Sequence, residues 1–134
     1  MKKMNNKGFS LVELIVVIAI MAVLVGVLAP QFIKYVESSR RSTDVSNAEN
    51  IRSAVLADIA DGIITGSGSS SVTASGTGFV PTSLGEKPVS KGNPAGVGTD
   101  FSFTYNANAG TCDVYLSTYN LSQSSGVSAY KAVK

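Results

Sequence analysis

The 134-residue chain has no histidine, no tryptophan and a single cysteine, Cys112. Those gaps exclude an intramolecular disulfide, a catalytic imidazole, and a zinc site built from Cys and His. Charge is also scarce: 15% of residues are charged against 44% hydrophobic, and the 9 acidic side chains are scattered. The formal net charge of +2 is too small to mark nucleic acid as the main partner. Aromatic residues make up only 7%, which favours packing over any electron-transfer role for Phe9, Phe32 and Tyr35.

What the chain does have is unevenly spread. Of the 24 positions from Phe9 to Phe32, 19 are apolar, and Glu13 is the one charge among them. A leader holding Lys2, Lys3 and Lys7 precedes this run. A secretory signal has a shorter apolar core, about 7 to 15 residues, followed by a small-residue cleavage site. Here no such site follows, and 24 residues suffice to span a hydrocarbon core of roughly 30 Å as a helix. The remaining residues can bury one modest core, which excludes a multidomain enzyme.

Glu13 is anomalous for a plain anchor, because a carboxylate inside a spanning helix costs on the order of 2.5 to 3.5 kcal/mol. One reading places it close enough to the bilayer edge to reach water. In the other, cleavage between Gly8 and Phe9 frees an α-amino group, and Glu13 pairs with that amine on a neighbouring copy. An unpaired buried charge is strongly unfavourable, so such pairing would reject wrong registers more than it would add affinity.

The run Lys7-Gly8-Phe9-Ser10-Leu11-Val12-Glu13-Leu14, with its basic leader and the later Pro30-Gln31-Phe32, resembles the class III signal and N-terminal helix of type IV pilins and pseudopilins. The close resemblance covers about residues 1 to 55. It implies cleavage after Gly8 by a prepilin peptidase, N-methylation of Phe9, and a filament-assembly role for Phe9 and Glu13. Cleavage would leave 8 basic and 9 acidic side chains. Charge does not orient the span, since Lys34, Arg40 and Arg41 follow it as closely as the leader lysines precede it. The resemblance places the leader in the cytoplasm and the C-terminal domain outside.

Pro30 lies within the helical pattern, removes one backbone hydrogen bond and crowds the preceding turn; Gly26 loosens that turn further. This predicts a helix break around Gly26 to Pro30, either a kink at the membrane exit or a stretch that melts in a filament. Beyond it, Val45, Ala48, Ile51, Val55 and Ile59 recur at steps of three and four, widened by Leu56 and Ile63, as on one face of an amphipathic helix. Asp44, Asn47, Glu49, Asn50 and Asp58 are assigned mostly to other faces. Asp61-Gly62 supplies the stop. A helix from about Leu11 to Asp61 would extend roughly 75 Å, too long for a domain of this size to cover alone, so half of it needs lipid or other copies. Lys34, Glu37, Arg40, Arg41 and Asp44 read either as a solvated face with weak i,i+4 pairs such as Glu37 with Arg41, or as intersubunit contacts.

Residues 65–78 contain 12 Gly, Ser or Thr in 14 positions, a composition that predicts an exposed loop. Phe79-Val80-Pro81 returns the chain toward the core, and residues 85–100 are again rich in turn formers. Phe101, Phe103, Tyr105 and then Cys112, Val114, Leu116 alternate with polar residues around Asn106 to Gly110, a hairpin. Val127, Ala129 and Val133 suggest a third strand. The expected fold class is α+β and type IV pilin-like: a long N-terminal helix on an antiparallel sheet of about three strands. Its parts are a leader (1–8), a transmembrane and filament-core helix (9–32), an amphipathic helix (33–62) and a C-terminal domain (63–134).

Cys112 falls on the inward set of a strand and reads as a buried small hydrophobe, which departs from pilins closed by a disulfide and is similar to disulfide-free pilins such as those of clostridia. Asp100 and Asp113 are too isolated to propose as metal ligands, and the sequon Asn120-Leu121-Ser122 is too short a motif to assign. No catalytic residues, metal or cofactor are expected. The resemblance implies a major structural subunit that polymerises as a homo-oligomer into a helical filament for adhesion, motility or biofilm. Its partners would be the prepilin peptidase and methylase, an assembly platform with its ATPase, and membrane lipid beforehand. A minor pilin, a pseudopilin of a secretion or DNA-uptake system, and a membrane-anchored binding module are the alternatives.

Overall fold

The computed structural model describes residues 8–72, 84, 88–92 and 100–133. The chain divides into two compact units, Met1–Val36 and Glu37–Lys134. One helix, α1 (Leu11–Ala60), supplies the first unit and opens the second. It begins after the non-helical residues 8–10 and continues through Gly26 and Pro30 without a gap.

Α1 ends through a Schellman arrangement, as the Asp61-Gly62 pair predicts. Gly62 adopts φ 74°, its N–H donates to the Ile59 carbonyl at 3.1 Å, and the Ile63 N–H donates to the Asp58 carbonyl at 2.9 Å. Only glycine takes this left-handed conformation without a Cβ penalty, and the two bonds satisfy carbonyls that a helix end leaves without partners.

In the second unit four antiparallel strands follow, β1 (Ser67–Ser71), β2 (Phe101–Asn106), β3 (Thr111–Leu116) and β4 (Tyr119–Asn120), ordered β1-β2-β3-β4 in the sheet. The β2–β3 hairpin has the expected register, with Phe101 opposite Leu116, Phe103 opposite Val114 and Tyr105 opposite Cys112. Period-2 alternation therefore turns Phe101, Phe103, Cys112, Val114 and Leu116 to one face, where they are buried with Ala48, Ile51 and Val55 of α1. Each large side chain buried in this way contributes roughly 1.5–3 kcal/mol.

Three expectations need correction. The Ser-rich segment is exposed but is not a loop over its whole length: residues 67–71 form β1, paired with residues 102–106. Backbone hydrogen bonding to a well-packed neighbour, rather than burial of its own side chains, holds this strand. The C-terminal strand is instead helix α2 (Ser124–Ala132). Val127 and Tyr130 lie three apart on one helix face, and the buried Tyr130 ring packs 5.8 Å from Tyr119. Third, Arg41, Asp44 and Asp58 are not solvated: Asp44 and Asp58 are fully buried and Arg41 is 8% exposed. They continue the apolar stripe, since 44, 48, 51, 55 and 58 advance by four and three. At the helix end it is Ile64 that is buried, while Ile63 is 54% exposed. The leader through Lys7, Phe79-Val80-Pro81 and most of the 85–100 turn region lie outside the described residues.

Candidate functional site

The N-terminus of α1 is built by a short polar sequence set against an apolar one. Gly8, Phe9 and Ser10 are non-helical and exposed, Phe9 being 92% accessible. Ser10 occupies the cap position: its carbonyl accepts the Leu14 N–H at 3.2 Å and its hydroxyl accepts the Val12 N–H at 3.3 Å. Glu13, three residues on, reaches back so that Oε2 accepts the Ser10 N–H at 2.7 Å. The Gly8–Phe9 bond thus sits in exposed, non-helical backbone just ahead of a capped helix.

Every side chain from Gly8 to Tyr35 is exposed. Α1 contains the one helix window among the described residues that is long and apolar enough to cross a membrane, and none of it is buried by the chain itself. Leu14, Ile15, Val17, Ile18 and Met21 are each more than half exposed and lie on several sides of the helix, the kind of contiguous apolar surface that marks a membrane or protein interaction site. Gly26 has open space around its Cα, and Pro30 cannot donate to the Gly26 carbonyl.

A second polar constellation, which sequence reasoning missed, lies inside the C-terminal unit. The Asp44 carboxylate accepts four hydrogen bonds: from the Ser90 hydroxyl at 2.8 Å, the Lys91 N–H at 2.7 Å, the Gly92 N–H at 2.8 Å and the Tyr130 hydroxyl at 2.5 Å. One turn earlier, Arg41 Nη1 donates to the carbonyls of Lys131 at 2.9 Å and Val133 at 2.5 Å, while its Nε pairs with Glu37 at 3.0 Å. Arg41 thereby satisfies the carbonyl end of α2 and places a cation at that helix's negative pole. Gly92 is required by space, since a Cβ there would stand 2.5 Å from the Tyr130 hydroxyl. These contacts join the 90–92 segment and α2 to α1 in a chain without a disulfide. The clue in the sequence was two aspartates on the apolar stripe, a position that acids occupy only when paired.

Burial, reinforced by donation to Asp44, raises the Tyr130 phenol well above its ordinary value. The unfolded chain therefore loses this proton first as pH rises. Stability from Tyr130 is fully present below about pH 10 and declines above it. Denaturant titrations of the full chain should show the advantage of the wild type over Tyr130→Phe shrinking above that pH and constant below it. Burial likewise pushes the Cys112 thiol up to about 11, with Arg52 pulling it back in part. Such a thiol is a core side chain, not a reactive one. Among the described residues no group of three His, Cys, Asp or Glu could hold a metal.

Residues 3–29 match the family model for the prokaryotic N-terminal methylation motif. Type IV major fimbrial proteins FimA of Dichelobacter nodosus are 35% identical to the chain over 60 residues. Residues 3–29 thus carry a prepilin-type methylation motif, and part of the chain is similar to type IV major fimbrial proteins. That match takes in 45% of this chain and 38% of each fimbrial protein, so the chain spans well under half the length of these curated relatives. No solved structure matches it. Gly8, Phe9 and Glu13 fall inside the matched motif. The layout of a long helix and a small antiparallel sheet is likewise pilin-like, with four strands in place of about three.

Proposed function

We propose that the protein is a major structural subunit of a type IV pilus, cut between Gly8 and Phe9 and N-methylated at Phe9 by a prepilin peptidase. The subunit waits in the membrane as a single-pass precursor with its C-terminal domain outside. An ATPase-driven platform then moves it into a helical homopolymer. It catalyses nothing and takes no cofactor. The observation that carries this reading is the exposed apolar stretch of α1 bearing one carboxylate, five residues after an exposed, non-helical Gly8. A permanent anchor has no use for Glu13, whereas a helix that leaves lipid for a filament core can pair it with the Phe9 amine of another copy. Opening of the helix between Gly26 and Pro30 belongs to that second environment, where neighbouring helices can satisfy the Gly26 carbonyl.

The resulting parts are a leader at 1–8, a lipid and filament-core helix at 9–32, an amphipathic helix at 33–62 and a surface domain at 63–134. Glu13→Ala should insert and be processed as the wild type is, yet yield few filaments when cells are sheared and the surface fraction is quantified. Wild-type filament yield from that variant would remove the proposed role of Glu13.

A further inference from the structure

The geometry points to a second role for Glu13: with Ser10 it forms a self-contained helix cap that satisfies the carboxylate while the subunit is still single in the bilayer. The same cap presents the carboxylate, already oriented, to the amine of an arriving copy. Three contacts define it: Glu13 Oε2 accepts the Ser10 N–H at 2.7 Å, Ser10 Oγ accepts the Val12 N–H at 3.3 Å, and the Ser10 carbonyl accepts the Leu14 N–H at 3.2 Å. The spacing Ser-x-x-Glu is that of a reciprocal capping box, in which each side chain serves a backbone donor that the first turn leaves open. The anion also lies at the positive pole of a 50-residue helix.

This arrangement answers how a carboxylate is tolerated ahead of an apolar run before any partner amine is present. Its charge is met by a donor of its own chain. All atoms of the cap lie after the Gly8–Phe9 bond, so cleavage of the leader removes none of them. A carboxylate has about four acceptor positions, so a neighbouring ammonium can bind without displacing the Ser10 N–H. The cap stands on geometry alone; its use during the wait for assembly rests on the pilin reading above.

The test is amide hydrogen exchange at Ser10, followed by NMR on the full-length chain in lipid nanodiscs. Wild type should protect this amide, and Glu13→Ala should accelerate its exchange about tenfold or more. Glu13→Gln should stay near wild type, because the amide oxygen still accepts. Equal exchange in wild type and Glu13→Ala would overturn the cap. Filament yield is read separately on Glu13→Gln, which keeps the cap and loses the charge. Poor assembly with Ser10 still protected is the expected pair. Wild-type assembly of Glu13→Gln would defeat the intersubunit charge pairing while leaving the cap standing, so the two failures are distinguishable.

Discussion

Asp44→Ala should destabilise the C-terminal unit by about 3–5 kcal/mol, a large share of the 5–15 kcal/mol that holds a typical domain. Asp44 is fully buried. Its removal leaves the Tyr130 hydroxyl and the Lys91 and Gly92 N–H groups without this acceptor, while the Ser90 hydroxyl keeps the Gly92 carbonyl at 3.1 Å; a buried donor without a partner costs about 1–3 kcal/mol. The loss should be local first. Hydrogen exchange should rise at residues 90–92 and along α2 before it rises in β2 and β3, whose ladder does not depend on the aspartate. Asp44→Asn keeps one acceptor oxygen but turns an amide donor toward other donors, so it should fall between the two. A denaturant midpoint for Asp44→Ala within about 1 kcal/mol of wild type would show that the network is not what joins the C-terminus to α1.

Gly126→Ala should also destabilise, against the usual sign for this substitution in a helix. Alanine is favoured over glycine by about 1 kcal/mol in a helix interior. At Gly126 an added Cβ would stand 1.9 Å from the Asn120 carbonyl oxygen and 2.7 Å from its carbon. The obstacle is backbone and cannot rotate away, so α2 must shift from β4. Overpacking of this kind costs about 1–3 kcal/mol, more than the propensity gain. Ser125→Ala and Ser128→Ala, both on exposed positions of α2, serve as controls and should be neutral or slightly stabilising. Thermal melts that place Gly126→Ala above the wild type would contradict the close approach.

Where the sequence was informative, the signal was periodic or chemically unusual. The apolar run, the Glu13 carboxylate within it, and the alternation of Phe101, Phe103, Cys112, Val114 and Leu116 each admit few arrangements. The stop at Asp61-Gly62 was legible for the same reason, since glycine after a helical stripe has a specific geometric use. Other parts depended on tertiary context. Strand β1 is made of Ser and Gly, which offer no face to bury, and exists through its pairing with β2. Helix α2 differs from the expected strand because Val127, Ala129 and Val133 suit either state, and only the packing of Tyr130 against Tyr119 and Asp44 decides between them. For Arg41 and Asp44, composition alone suggests a solvated face or intersubunit contacts. Their place on the stripe of Ala48, Ile51 and Val55 outweighed their polarity once Ser90, Lys91, Gly92 and Tyr130 supplied donors.

Helix α1 meets two different demands along its length. Its later part shares a core with the sheet, and its stripe is saturated by Phe101, Phe103, Val114, Leu116 and Tyr130. Its earlier part, up to Tyr35, is exposed. Apolar surface of that extent needs a solvent, and the pilin reading gives it two in succession, lipid and then other copies of the same helix.

The most direct test of that reading is mass spectrometry of the protein in filaments sheared from the cell surface. The account predicts a chain that begins at N-methylated Phe9 and has lost the leader through Gly8. Surface protein that retains Met1 to Gly8 would contradict it.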